Sequence, residues 1–199
     1  MAKQNSFELF APPRTLCSST IYPITRGNDM EPDITVSAVV RAHEDPKLVL
    51  ESVQNIFPDW NPDTLPDSSE FPSNREDLGV TSKVQSIDNM ISILRKRKVL
   101  DTAMDAMAIG IDGNVTRFNI SRQSAFARKV SFVIEEAPLG GLIEVHIEVE
   151  EIAIWLEQQT WHSGRDFVPR STSDDLAMSD KGDPTEWFDS KGRRTMQSD

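Results

Sequence analysis

Hydrophobic patterning in this 199-residue chain predicts an α+β domain with a largely antiparallel sheet, covered on one face by helices. Ile143, Val145, Ile147 and Val149 alternate with Glu144, His146, Glu148 and Glu150, as in a sheet strand with one buried and one wet face. Ile93, Leu100, Met104, Met107 and Ile111 recur instead at helical spacing. Read end to end, the elements fall in the order β-α-β-α-β-β-β-α, which fits an antiparallel sheet with helices packed to one side.

Residues 1–32 hold Pro12, Pro13 and Pro23 among polar residues without sustained periodicity and read as a flexible leader. Ile34 to Val40 is β-prone and partly alternating, the first strand. Asp45-Pro46 then starts a helix: Asp supplies an N-cap acceptor, and Pro suits the first helical position because its missing N–H would be unpaired there anyway. Leu48, Val49, Val53, Ile56 and Phe57 form its apolar stripe, and Pro58 stops it. Residues 58–79 carry Pro58, Pro62, Pro66 and Pro72 among acids and serines, and read as a long exposed loop.

Val80 to Gln85 reads as a short strand, with Ser86 placed to cap the helix after it. Two readings of that helical stretch stay open. It runs on as one helix, or it splits near Leu100 with Asp101 capping the second half. Gly110 and the Asp112-Gly113-Asn114 turn end it. Val115 to Ile120 is a strand, Ser121 to Ala127 a helical turn, and Lys129 to Ile134 a further strand. Gly140-Gly141 is a turn before the last strand, and Ile152, Trp155 and Leu156 give a closing helix near Thr160. The domain therefore spans residues 33–160. Residues 161–199 lack an apolar stripe and read as a disordered acidic tail, since such a composition buries too little surface to offset chain entropy. Within it, Trp187-Phe188 is either a pair of stray aromatics or a short docking motif.

Composition narrows the function. Hydrophobic content is 38%, below the roughly 45–50% of globular chains, consistent with unfolded tails. Cys17 is the sole cysteine, so no intrachain disulfide forms and a reducing compartment fits. No stretch approaches the ~20 apolar residues that span a bilayer, so no membrane role and a cytoplasmic location are expected. The formal net charge is -11. Against that background, residues 81–130 carry nine Lys or Arg and four Asp, a net of +5. Within them stands the run Arg95-Lys96-Arg97-Lys98. A like-charge cluster repels itself, so keeping one in a helical pattern points to a polyanion, and nucleic acid is the leading one.

Adjacent helical residues point about 100° apart, so the four cations do not share one face. Arg95 and Lys98, at i,i+3, do share one, and form the candidate pair. Arg117, Arg122, Arg128 and Lys129 join them if the turn between two strands brings the strand ends beside the helix as a basic rim. Gln123 and Asn119 are then placed to hydrogen-bond bases or 2′-hydroxyls. The competing reading is a solvated helix face and an ordinary turn. Phe118, Phe126 and Phe132 are the aromatics of this region, and their alternation suits a core as well as a base-stacking platform.

Chemistry is poorly represented. His43, His146 and His162 are widely spaced and form no metal-ligand set, and His146 between Glu144 and Glu148 is the default polarity of a wet strand face. No nucleophile, base and orienting group stand together, so neither an enzyme nor a cofactor is expected.

Several pieces of the chain are also familiar in order: Ile34 to Val40, Glu44-Asp45-Pro46, Val53 to Asp59, Arg97 to Ala103, Gly113-Asn114, Gln123 to Phe126 and Gly140 to Glu148. Together they resemble an archaeal family of uncharacterised proteins, numbered 0201, over roughly residues 33–160. The resemblance implies a fold similar to the 5S-rRNA-binding large-subunit ribosomal protein, a homodimer, RNA binding and association with the exosome. It brings no catalytic residues. The Pro-rich loop and both tails depart from the family. The expectation is an RNA-binding protein contacting structured RNA through a basic helix and turn, in exosome-linked RNA processing or ribosome metabolism. A non-enzymatic interaction module of a ribosomal or exosomal assembly is the alternative.

Overall fold

The computed structural model describes residues 31–67, 75–135, 137–179 and 181–182. The leader up to residue 30, Cys17 and Trp187-Phe188 lie outside them. The elements are β1 (Asp33–Val40), α1 (Pro46–Gln54), β2 (Leu78–Val84), α2 (Asp88–Arg97), α3 (Leu100–Ala108), β3 (Ile111–Asp112), β4 (Val115–Ser121), α4 (Arg122–Phe126), β5 (Phe132–Val133), β6 (Leu142–Glu148) and α5 (Ile152–Gln159). The architecture is α+β. Six strands form one sheet in the order β2-β1-β6-β4-β3, with β5 also paired to β4. Every pairing is antiparallel.

Period-2 patterning sets the register. Val36 stands opposite Val145 and Val145 opposite Phe118; the next row runs Ala38, Ile143, Ile120. All six are buried, and they meet Val53, Leu94, Ala103, Met107 and Leu156 from the helices. A one-residue slip would turn each row to water, so burial of one face fixes the pairing. The opposite face carries the rows Lys83-Thr35-His146-Arg117 and Thr81-Ser37-Glu144-Asn119.

Local chemistry explains the helix ends. Asp45 accepts from the Lys47 N–H at 3.0 Å, and Pro46 opens α1. The basic helical stretch is two helices. Lys98 adopts the left-handed conformation (φ 59°) and closes α2 with the paired bonds Val99 N–H to Leu94 O (3.3 Å) and Lys98 N–H to Arg95 O (3.1 Å). Asp101 caps neither helix; its carboxylate is committed elsewhere. Arg95, Lys96 and Arg97 occupy the last turn of α2, where cations offset the partial negative charge of unpaired carbonyls. Gly110 tolerates no side chain, because a Cβ there would lie 1.9 Å from the Arg117 carbonyl oxygen.

Two expectations need correction. The Pro-rich loop is not wholly exposed: Trp60 is fully buried and its indole N–H donates to Val36 O at 2.9 Å. Asp59 accepts from the Gln85 N–H, and Arg75 donates to the carbonyls of Arg41 and Glu44. β2 then starts at Leu78, two residues before the expected strand, whereas β5 keeps only two of the six residues expected.

Nor does the packed chain end at residue 160. Asp101 accepts from Arg165 Nε at 2.9 Å and bonds His162 Nε2 at 3.0 Å. Arg165 is buried and also donates to Thr160 Oγ1 and Glu157 O. Arg170 bridges the buried Asp105 (2.8 Å) and Asp174 (2.8 Å), while Thr172 donates twice to Glu157. Charge pairing therefore fastens residues 161–174 to α3 and α5, a mechanism invisible to apolar periodicity.

Truncation tests this clamp. A chain ending after Thr160 leaves Asp105 buried without its cation, and should lose about 3 kcal/mol in denaturant unfolding. A chain ending after Gly182 keeps every one of these pairs and should keep the clamp's contribution.

The same clamp sets an acid dependence. Burial raises the Asp101 pKa, but hydrogen bonds from Arg165 and His162 outweigh it and hold the carboxyl below its ordinary 3.8. Its stabilisation is therefore full above that value and disappears as pH falls through the lower folded one. Burial dominates at Asp105 and raises its pKa above 3.8, so its contribution has the opposite sign in the acid range. Asp101→Asn should melt well below the parent at pH 7, and the gap should close as pH drops below 3.8. A constant gap across that range would remove Asp101 from the clamp.

Candidate functional site

The predicted basic residues divide among several places. Arg117 is exposed on the open sheet face, opposite His146. Arg95 donates to Trp161 O at 2.8 Å and Gln159 O at 3.5 Å, and so closes the carbonyl end of α5. Gln123 borders a separate cavity of about 680 Å³ with Leu48, Phe126 and Leu139.

Arg122 is a correction. Its side chain is 5% exposed. Nε donates to Gly140 O at 2.9 Å, Nη1 to Val39 O, and Nη2 to Glu44 Oε1. The second Glu44 oxygen accepts from the Arg41 N–H at 3.0 Å. Gly141, at φ 79°, makes room for this guanidinium: a Cβ there would meet Nη2 at 2.8 Å. Burial pulls the Arg122 pKa below its ordinary value, with Glu44 opposing. Such a cation is spent inside the fold and offers nothing to a phosphate.

Lys98, Arg128 and Lys129 remain exposed, and Lys129 comes together with Arg97, a residue that sequence reasoning passed over individually. Arg97 and Lys129 line one open cleft of about 640 Å³ between α3 and β5. Two copies of the same tripeptide border it, Arg97-Lys98-Val99 and Arg128-Lys129-Val130: Arg97, Val99, Lys129 and Val130 line the cleft, and Lys98 and Arg128 are exposed next to them in the chain. Each copy follows a helix closed by a left-handed cation: Lys98 ends α2, and Arg128 (φ 54°) ends α4, with Lys129 N–H to Ser124 O and Arg128 N–H to Ala125 O both 2.9 Å. The repeated Arg-Lys-Val was the legible signal for this site.

The cleft's chemistry is one-sided. Among the described residues, no Asp or Glu lines it. Among the described residues, no carboxylate lies within ion-pair distance of Arg97, Lys98, Arg128 or Lys129, whereas Arg165 and Arg170 are paired internally. The opening also holds Thr102, Ser124 and Ser131, and Met178 and Gly182 complete its rim. The segment beyond α5 is thus part of the site.

Among the described residues, no group of three His, Cys, Asp or Glu side chains is arranged to hold a metal ion. His162 has both nitrogens engaged: Nδ1 accepts from the Gly164 N–H at 3.1 Å, which leaves Nε2 to carry the proton toward Asp101. Among the described residues, no helix is long and apolar enough to cross a membrane.

Arg122→Met should cost about 3–5 kcal/mol in denaturant unfolding, because Glu44 is left half-buried without its cation. The double variant Arg122→Met/Glu44→Leu should recover much of that loss; no recovery would show that the carbonyl bonds, rather than the ion pair, hold the sheet end.

No family model matches the sequence. Curated relatives do. A UPF0201 protein of Aeropyrum pernix is 34% identical over 136 residues, covering 64% of this chain and 85% of that one. The Saccharolobus solfataricus protein is 32% identical over 139 residues, with 65% and 89% covered. That of Methanothermobacter thermautotrophicus is 29% identical over 141 residues, with 71% and 98% covered. Among solved structures, a UPF0201 protein from Methanococcus jannaschii superimposes with a TM-score of 0.55 at 23% identity, over 65% of this chain and 99% of that one. A second UPF0201 crystal structure gives a TM-score of 0.52 at 25% identity, over 63% and 90%. The antiparallel α+β architecture and relatives aligned across most of their own length converge: this chain belongs to the archaeal UPF0201 family.

Proposed function

We propose that this protein binds structured RNA through phosphate contacts along the ridge formed by Arg97, Lys98, Arg128 and Lys129. One observation carries the reading. In a chain of net charge -11, a cleft bordered by two Arg-Lys-Val turns has two cations and three hydroxyls among its apolar walls and, among the described residues, no carboxylate. Such a surface attracts a polyanion while the acid elsewhere is partly neutralised by internal arginines. Arg117 lies on the sheet face and Arg95 beside α5, so both are at most peripheral to this ridge. The role we infer is binding rather than catalysis. Exosome-linked RNA processing or ribosome metabolism in the cytoplasm, as a homodimer with a fold like that of the 5S-rRNA-binding ribosomal protein, is the setting inferred with it.

A separate feature favours a second reading, an interaction module for ribosomal or exosomal proteins. Leu48, Phe126 and Leu139 are 52%, 51% and 96% exposed around one cavity. Clustered apolar side chains at a surface depression suit a protein partner.

Changing Arg97, Lys98, Arg128 and Lys129 together to Ala should weaken RNA binding across sequences and leave the melting temperature nearly unchanged. The log-log salt slope should shrink by roughly 0.7–0.9 for each phosphate that the variant no longer neutralises. Unaltered affinity and slope in a folded quadruple variant would sink the phosphate reading and leave the interaction module.

A further inference from the structure

Phosphate contacts alone need only a ridge of cations. This site is a cleft, and its walls are largely apolar. We propose that the cleft between α3 and β5 holds a single unpaired RNA nucleotide, its base against the apolar walls and its phosphate on Arg97 and Lys129. The proposal rests on the RNA-binding reading and specifies what that RNA presents.

The geometry separates the two chemistries. Val99, Ala103, Val130 and Phe132 line the opening, and Arg97 and Lys129 stand among them as the lining cations. Phe132 is half-buried and braced edge-on against Phe118, with ring centroids 5.7 Å apart and planes at 60°. A braced ring is a fixed wall for a base, and it loses little freedom on binding. Thr102, Ser124 and Ser131 are each at least partly exposed at the cleft, and among the described residues their hydroxyls have no hydrogen-bond partner. Hydroxyls both donate and accept, so they suit the edge of any base or a 2′-hydroxyl. Among the described residues, no lining carboxylate repels a phosphate. A paired base inside a duplex cannot enter such a space; a bulged, looped or terminal one can.

The experiment uses the full chain and three RNAs of matched length: a single strand, a blunt duplex, and that duplex carrying one bulged nucleotide. Fluorescence anisotropy should show the single strand and the bulged duplex binding about tenfold tighter than the blunt duplex, the scale expected of one stacked base. Adenosine monophosphate in excess should erase that preference. Thr102→Trp fills the mouth from α3, and Ser131→Trp fills it from the β5 side; both positions are exposed, so melting curves should stay close to the parent. Each variant should lose the tenfold preference. Equal affinity for all three RNAs, or a preference that survives both tryptophans in folded variants, overturns the nucleotide pocket while the phosphate ridge stands. Failure to bind any of the three RNAs overturns both.

Discussion

Much of this molecule hangs from one buried cation. Arg122 is the first residue of α4, and its three donor nitrogens reach the end of β1, the loop before α1 and the turn before β6. Desolvating a guanidinium costs several kcal/mol, and only a carboxylate and well-placed carbonyls repay it. Those partners come from segments far apart in sequence, so they are satisfied together only when the sheet has closed in its native order. The orientation of α4 follows, and with it the turn that carries Arg128 and Lys129 to the cleft. A residue that touches no ligand thereby positions one wall of the candidate site.

The acidity of the chain looks different once its partners are counted. Asp101, Asp105 and Asp174 neutralise Arg165 and Arg170 and bind the segment after α5 to the helices. These acids act as internal fasteners, not as a repulsive field over the cleft. Among the described residues, cations without a carboxylate partner stand at the ends of α2 and α4. Net charge therefore says little about what the local surface attracts.

The sheet was legible because burial on a single face imposes a period that any reader of β6 recognises in Ile143, Val145 and Ile147. Helix α1 was legible from Asp45-Pro46, where capping chemistry is local. The split between α2 and α3 was visible only as one of two options, since the apolar series runs through it and the residue that breaks the helix is Lys98, not a glycine. Trp60 was missed because its burial depends on β1, whose Val36 carbonyl receives the indole N–H. Residues 161–174 were misread because ion pairs, unlike apolar stripes, have no periodicity. Arg122 was misread for a related reason: cation and surface are near synonyms in sequence, and only three-dimensional neighbours reveal an exception.

The two left-handed cations set stability against recognition at the same positions. A residue with a Cβ in that conformation costs roughly 1 kcal/mol that glycine avoids, and helix-ending turns of this type most often carry glycine. Heat resistance alone would favour glycine at 98 and 128. Lys98 and Arg128 stand there instead, each an exposed cation next in the chain to a residue that lines the cleft. Ranking substitutions by thermal tolerance would thus select away two of the four cations of the proposed ridge, and a hardened protein would carry less positive charge beside the cleft.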